Sequence, residues 1–180
     1  MNARLGLSLM AVALLSACAN SPSVNTYSQA ALPEAVKVPA GNKVVMEAVG
    51  VGQITYECRE KANAAGVYEW AFVGPDAVLN SRSGVQVGKY YGPPATWESN
   101  DGSKVTGKQL AVAPASAGNI PFQLVQASPA TGQGAMTGVT YIQRVNTKAG
   151  VAPALPCTID SKSKKEIVKY QADYIFYTAQ

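Results

Sequence analysis

The densest mixture of aromatic and charged side chains in the sequence lies between residues 90 and 104. It includes Tyr91, Trp97, Glu98 and Asp101, interrupted by a Gly-Pro-Pro corner. Aromatic rings can stack on a flat ligand or a sugar, and nearby carboxylates can orient that ligand through hydrogen bonds. These four residues are therefore predicted to contact a ligand. In the alternative interpretation, Trp97 fills the core beside a hairpin and the charged side chains are solvated.

A set of three aromatic residues and one arginine each have both a functional and a structural interpretation. Tyr68, Trp70 and Phe72 alternate along one predicted strand and share one of its faces. They would form either a stacking platform for a sugar or base, or part of the core. Arg144 would hold a carboxylate or a phosphate, or it would form an ion pair with a residue on a neighbouring strand.

The sequence contains no histidine. This excludes a His-based catalytic triad, a histidine general base, and any zinc or haem site with histidine ligands. No glycine-rich phosphate loop follows a strand, and no Gly-x-Ser-x-Gly motif occurs. Glu98 and Asp101 lie three residues apart, but nothing marks them as a buried catalytic pair. We therefore assign no catalytic residue, metal ligand or cofactor, and favour a protein that is not an enzyme.

The N-terminus has the pattern of a lipoprotein signal. A short segment with one positive charge, Arg4, precedes an apolar run of roughly eleven residues, which is too short to span a membrane. Leu15-Ser16-Ala17-Cys18 then matches the site at which a lipoprotein signal peptidase cuts. We predict cleavage before Cys18, lipidation of this cysteine, and anchoring in a membrane. In bacterial lipoproteins of two-membrane cells, a residue other than Asp after the cysteine favours the outer membrane, and here that residue is Ala19.

Two cysteines remain if Cys18 carries lipid. An exported protein lies in an oxidising compartment, so we predict a disulfide between Cys58 and Cys157. The bond would close a loop of about 100 residues, for which chain entropy gives about 4.7 kcal/mol. Two free thiols or a pair of metal ligands are the alternatives.

The net charge of +4 is small. The main basic cluster, Lys162, Lys164 and Lys165, is short and typical of a solvated loop. A nucleic-acid interface is therefore not expected.

Hydrophobic alternation and turn residues predict many short strands. Lys43 to Val49 and Gln53 to Arg59 are expected to form a hairpin around a turn at Gly50 to Gly52, and another turn is expected at Gly74 to Asp76. The clearest alternation runs from Glu166 to Tyr177, with Val168, Tyr170, Ala172, Tyr174 and Phe176 facing inward. We divide the chain into a signal peptide (1–17), a lipidated flexible tether (18–38) and an all-β domain (39–180).

Six runs of residues, taken together and in this order, form a recognisable pattern. They are Gln53–Cys58, Tyr68–Phe72, Tyr91–Glu98, Asp101–Val105, Thr140–Thr147 and Ala172–Tyr177. This pattern resembles a family of bacterial and fungal secreted proteins known as domain of unknown function 3455. The resemblance covers about Leu32 to Tyr177. It implies a secreted all-β domain and carries no known activity.

Together these patterns predict a single antiparallel β-barrel or sandwich of eight to ten strands with one disulfide. The favoured function is a non-enzymatic module of the cell envelope that binds a small molecule, a glycan or a protein. It would be held at the outer membrane, facing the periplasm, by lipid on Cys18. One alternative is a histidine-free enzyme acting on envelope polysaccharide. The other is a structural or inhibitory envelope lipoprotein.

Overall fold

Eight antiparallel strands form the protein in a computed structural model that describes residues 27–180. Each strand pairs with the next, and the last strand pairs with the first, which closes the barrel. The predicted all-β fold is confirmed, and of the two predicted architectures the barrel is the one formed. The strands are β1 (Asn42–Lys61), β2 (Ala64–Asn80), β3 (Gln86–Tyr91), β4 (Thr96–Ser99), β5 (Lys104–Ala113), β6 (Phe122–Ala127), β7 (Val139–Ala149) and β8 (Lys165–Ala179).

The predicted signal peptide and the predicted lipidation site, Cys18, lie outside the described residues. Within residues 27–180, no helix is long and apolar enough to cross a membrane. The helical segments described there are the single 3-10 turns Glu34–Val36 and Ile159–Ser161.

The barrel interior is filled by inward-facing side chains. On β8 the residues Tyr170, Ala172, Tyr174 and Phe176 are all buried in this core, as their alternation predicted. An eight-stranded barrel is just wide enough for side chains to fill or to hold one small ligand. The other strands contribute Ala48, Ile54, Ala77, Leu79, Val105, Val125, Val139 and Ile142.

A second apolar cluster lies outside the barrel, between β5–β8 and residues 27–38. Val36 is fully buried in it, and Gln143 on β7 donates a hydrogen bond of 2.6 Å to the Val36 carbonyl. Tyr27 and Tyr177 both donate to the Gln143 side-chain oxygen, at 3.0 and 2.7 Å. Burial raises the pKa of Tyr27 to about 12. The part of the predicted tether that the structure describes is thus held against the barrel.

The predicted hairpin around Gly50 to Gly52 is wrong, because β1 runs unbroken through these glycines. They permit close packing instead of a turn. A Cβ atom on Gly50 would lie 2.6 Å from Cε2 of Tyr174, and one on Gly52 would lie 2.2 Å from the carbonyl oxygen of Asp76. The turn predicted at Gly74 to Asp76 is also wrong, since β2 continues through it with a shift in register.

A disulfide joins Cys58 to Cys157, as predicted, with the two Cα atoms 5.5 Å apart. It ties the far part of β1 to the loop between β7 and β8. Backbone hydrogen bonds reinforce this junction: Cys58 donates to the Lys164 carbonyl at 2.9 Å, and Ser163 donates to the Cys58 carbonyl at 2.8 Å. The alternatives of free thiols or a metal pair do not apply.

Candidate ligand-binding cavity

A cavity of about 360 Å³ lies at the end of the barrel formed by the β1–β2, β3–β4 and β5–β6 connections. Most of its wall is apolar, and the polar side chains are confined to three residues on β5, β6 and β7. The apolar wall comprises Ile54, Tyr56, Phe72, Pro75, Tyr90, Pro93, Ala95, Trp97, Ile120, Pro121 and Val125. The polar residues are Gln109, Gln123 and Arg144.

Three aromatic rings that pack against one another support the inner part of this cavity. Tyr90 on β3 lies directly opposite Trp97 on β4, and the two rings stack with centroids 4.6 Å apart and an interplanar angle of 20°. The ring of Tyr174 on β8 packs against both, with centroids 5.0 Å from Tyr90 and 5.9 Å from Trp97. Side chains locked in this way give a ligand a preformed surface.

Trp97 is 1% exposed, and its Nε1–H donates no hydrogen bond to any residue in the described part of the chain. A buried donor without a partner costs about 1–3 kcal/mol. Packing of the ring, and not a hydrogen bond of its polar group, therefore stabilises the indole in this position. Of the two interpretations offered by the sequence, the structure places Trp97 in the core, although it also lines the cavity.

Arg144 faces into the same cavity from β7, next to Gln123 on β6. Its Nε and Nη2 atoms both donate to the carbonyl oxygen of Pro121, at 3.2 and 3.0 Å. No ion pair within residues 27–180 includes Arg144. The ion pair that the sequence allowed is thus absent from the described residues, and the guanidinium charge has no carboxylate partner there.

The buried tyrosines around Arg144 are neutral. Burial raises the pKa values of Tyr90, Tyr170 and Tyr174, and the positive charge of Arg144 acts in the opposite direction. Burial likewise raises the pKa of Tyr56, against the same charge. Because the hydroxyl groups keep their protons, they do not neutralise the guanidinium.

The four residues predicted to contact a ligand do not share one surface. The Tyr91 hydroxyl donates to Glu98 at 2.6 Å, and Lys89 lies 3.3 Å from the same carboxylate. Tyr91 and Glu98 both lie on the outer face of their strands, whereas Trp97 points inward. The hydrogen bond to Glu98 is the main reason that the pKa of Tyr91 is raised, and it is also the main cause of the lowered pKa of Glu98. Of the four residues predicted to contact a ligand, the structure therefore brings Tyr91 and Glu98 together.

A comparison with models of protein families shows which family the chain belongs to. The model of a family described as "Protein of unknown function (DUF3455)" matches residues 39–178. The chain belongs to the DUF3455 family. No curated protein and no solved structure gave a match. Membership of DUF3455 supports the resemblance found in the sequence, and the family description assigns no activity.

Asp101 has a structural role in this DUF3455 domain. It lies in the turn between β4 and β5, where its carboxylate accepts hydrogen bonds from Ser103 and from the backbone of Ala135, the latter at 2.8 Å. The Ser103 side chain, followed by the backbone donors, lowers the pKa of Asp101 to about 2. An ionised Asp101 therefore fastens this turn to the loop that precedes β7.

The sequence missed most of the cavity wall of the DUF3455 domain. Gln109 and Gln123 carried no distinguishing pattern, because their strands are bulged or short. Arg144 did carry one, since it alternates with Ile142 and so falls on the face that points into the barrel. Phe72 from the predicted stacking platform also lines the cavity and is 55% exposed. Within residues 27–180, no three His, Cys, Asp or Glu side chains group as a metal site.

Proposed function

We propose that this domain is a non-enzymatic binding module that holds a small molecule in the cavity at the end of the barrel. The observation that carries the proposal is the cavity itself, which combines an apolar wall with one cationic side chain. Of the ligands that the sequence left open, a small molecule fits a cavity of about 360 Å³ better than a protein partner does.

The size and lining of the cavity support this function. Ligand pockets in proteins typically measure about 300–1,000 Å³ and are mostly apolar, with a few polar groups that orient the ligand. The cavity of about 360 Å³ lies near the lower limit of that range. Its rigid aromatic wall reduces the entropy lost on binding, because few side chains need to be ordered.

The enzyme alternative receives less support from the same residues. Hydrolysis of a polysaccharide usually requires two carboxyl groups on either side of the scissile bond. None of the described residues that line the cavity is an aspartate or a glutamate. Glu98 is on the outer face, and Asp101 is engaged in its own turn. A purely structural lipoprotein would not need a preformed cavity.

The proposal predicts that a neutral apolar probe binds in this cavity. Titration of the purified full-length protein with N-phenyl-1-naphthylamine is expected to increase the probe's fluorescence in a saturable way. Ala95→Trp places a large ring at the cavity wall, so it should weaken binding at least tenfold. Melting curves would show whether this variant is folded.

A matched control is Ala65→Trp, because Ala65 is exposed in β2 near the β1–β2 turn and does not line the cavity. This variant should bind the probe as the unmodified protein does. Absence of saturable binding to the unmodified protein, or equal binding by folded Ala95→Trp, would contradict the proposed function.

We also propose that the domain is exported and anchored by lipid in the outer membrane, facing the periplasm. The support is the run Leu15-Ser16-Ala17-Cys18 and the disulfide, which is typical of oxidising compartments. In a bacterial host, labelled palmitate is expected to enter the protein and to be lost in Cys18→Ser. Equal labelling of the two proteins would refute lipidation at this residue.

A further inference from the structure

The cavity contains a positive charge, that of Arg144, for which residues 27–180 supply no acidic partner. Charged side chains removed from water are normally paired, because burial of an isolated charge is costly. Arg144 is half-buried, its known partner is the neutral carbonyl of Pro121, and no described residue lining the cavity is acidic. An anion on the ligand would supply the missing partner.

We propose that the cavity selects a monocarboxylic acid with an apolar body, and that Arg144 binds its carboxylate. This inference rests on the proposed function and adds the chemical class of the ligand. An arginine binds a carboxylate through two parallel N–H donors, which fixes the orientation of the ligand as well as its charge.

The surroundings of Arg144 prepare its guanidinium for this role. The two hydrogen bonds to the Pro121 carbonyl hold the group at the cavity wall and use only part of its five donors. Next to it, Gln123 donates to the side-chain oxygen of Gln109. The polar groups therefore lie together on β5, β6 and β7, which gives the cavity one polar side.

The opposite side of the cavity suits an apolar body. Phe72 on β2 is 55% exposed and supplies the accessible aromatic surface, while Tyr90 and Trp97 are almost fully buried and stack behind the lining. Aromatic walls of this kind favour flat rings, which pack on them by offset stacking. A ligand that spans the cavity would thus present its acid to Arg144 and its ring to this wall.

The count of charges favours a carboxylate over a phosphate. Arg144 is the one cationic side chain among the described residues that line the cavity. A phosphate monoester carries about −1.5 to −2 charges at neutral pH, so a single guanidinium would leave part of that charge buried and unpaired. A carboxylate carries one negative charge, which the single guanidinium of Arg144 balances.

Three probes with the same ring system test this proposal: 2-naphthoate, 2-naphthamide and 2-naphthyl phosphate. Their affinities for the full-length protein would be measured by displacement of N-phenyl-1-naphthylamine and by calorimetry. The carboxylate is expected to bind at least tenfold more tightly than the amide, a difference of about 1.4 kcal/mol, and more tightly than the phosphate.

Arg144→Gln should abolish the preference for 2-naphthoate over 2-naphthamide, because it removes the positive charge and the paired donors. Arg144→Lys keeps the charge without the paired donors, so it should retain only part of the preference. Lys148→Gln is the matched control, because it removes one positive charge from an exposed position on the same strand. This control should bind all three probes as before.

The outcomes separate this inference from the proposed function. If the neutral probe binds but 2-naphthoate shows no advantage, or keeps its advantage in Arg144→Gln, the cavity binds ligands without the selectivity proposed here. Tighter binding of the phosphate would also overturn the assignment to carboxylates. If neither the neutral probe nor 2-naphthoate binds, the proposed function fails together with this inference.

Discussion

Replacement of both Cys58 and Cys157 by serine is expected to lower the free energy of unfolding by about 4 kcal/mol. The two cysteines are separated by 99 residues in the sequence, and a cross-link over such a loop restricts the unfolded chain strongly. For a domain of this size, a loss of that magnitude lowers the melting temperature by on the order of 10 °C. Urea denaturation followed by circular dichroism measures the change.

The barrel itself should survive this double substitution. Around the bond, Cys58 and Lys164 remain joined by a backbone hydrogen bond, and the Trp70 indole donates to the Leu155 carbonyl at 2.8 Å. We therefore expect an unchanged β-sheet spectrum below the transition. Reduction of the unmodified protein should reproduce the loss. A urea midpoint that neither treatment moves would show that the disulfide contributes no stability.

Trp97→Ala is expected to cost about 3–5 kcal/mol of the free energy of unfolding, the range found when a large buried aromatic side chain is truncated. The indole is almost fully buried, stacks on Tyr90 and packs against Tyr174 in a T-shaped arrangement. Removal of the ring would leave a void beside the existing cavity, and the packed barrel wall could close only part of it. Equilibrium denaturation in urea measures this loss.

Trp97→Phe is the informative companion, because it keeps an aromatic ring for the stack and removes the Nε1–H that has no partner in the described part of the chain. Loss of that unpaired donor offsets part of the lost packing. We expect it to cost less than half as much as Trp97→Ala. Tyr91→Phe on the outer face should cost less again. Equal losses for Trp97→Ala and Trp97→Phe would contradict this account of the core.

The fold was predictable where a local pattern in the sequence determines which way a residue faces or which residue it pairs with. The alternation along β8 identified Tyr174 and Phe176 as inward, and the predicted lipidation of Cys18 left two cysteines to pair. Glycine was the main source of error. Gly50 and Gly52 suit a turn as well as a strand packed closely against a neighbour, and the neighbours that decide between these uses are distant in the sequence.

The candidate site was harder to predict because a strand sends adjacent residues to opposite faces. Trp97 and Glu98 are neighbours in the sequence, yet one lies inside the barrel and the other outside. The cavity instead joins residues from strands across the whole chain, such as Tyr56 and Arg144. Arg144 was identifiable as a charged residue on an apolar face, but the sequence alone did not show that it lacks an acidic partner among the described residues.

Closure of the sheet by β1 and β8 has a consequence for how the chain folds. These two strands form one of the longest seams in the barrel, yet more than 100 residues lie between them in the sequence. Contacts between segments so far apart form slowly, because a long loop must close first. Until β8 pairs with it, β1 has an unpaired edge, which can associate with other extended chains. The interval before this pairing is therefore when aggregation is the greatest risk, and the pairing ends that risk.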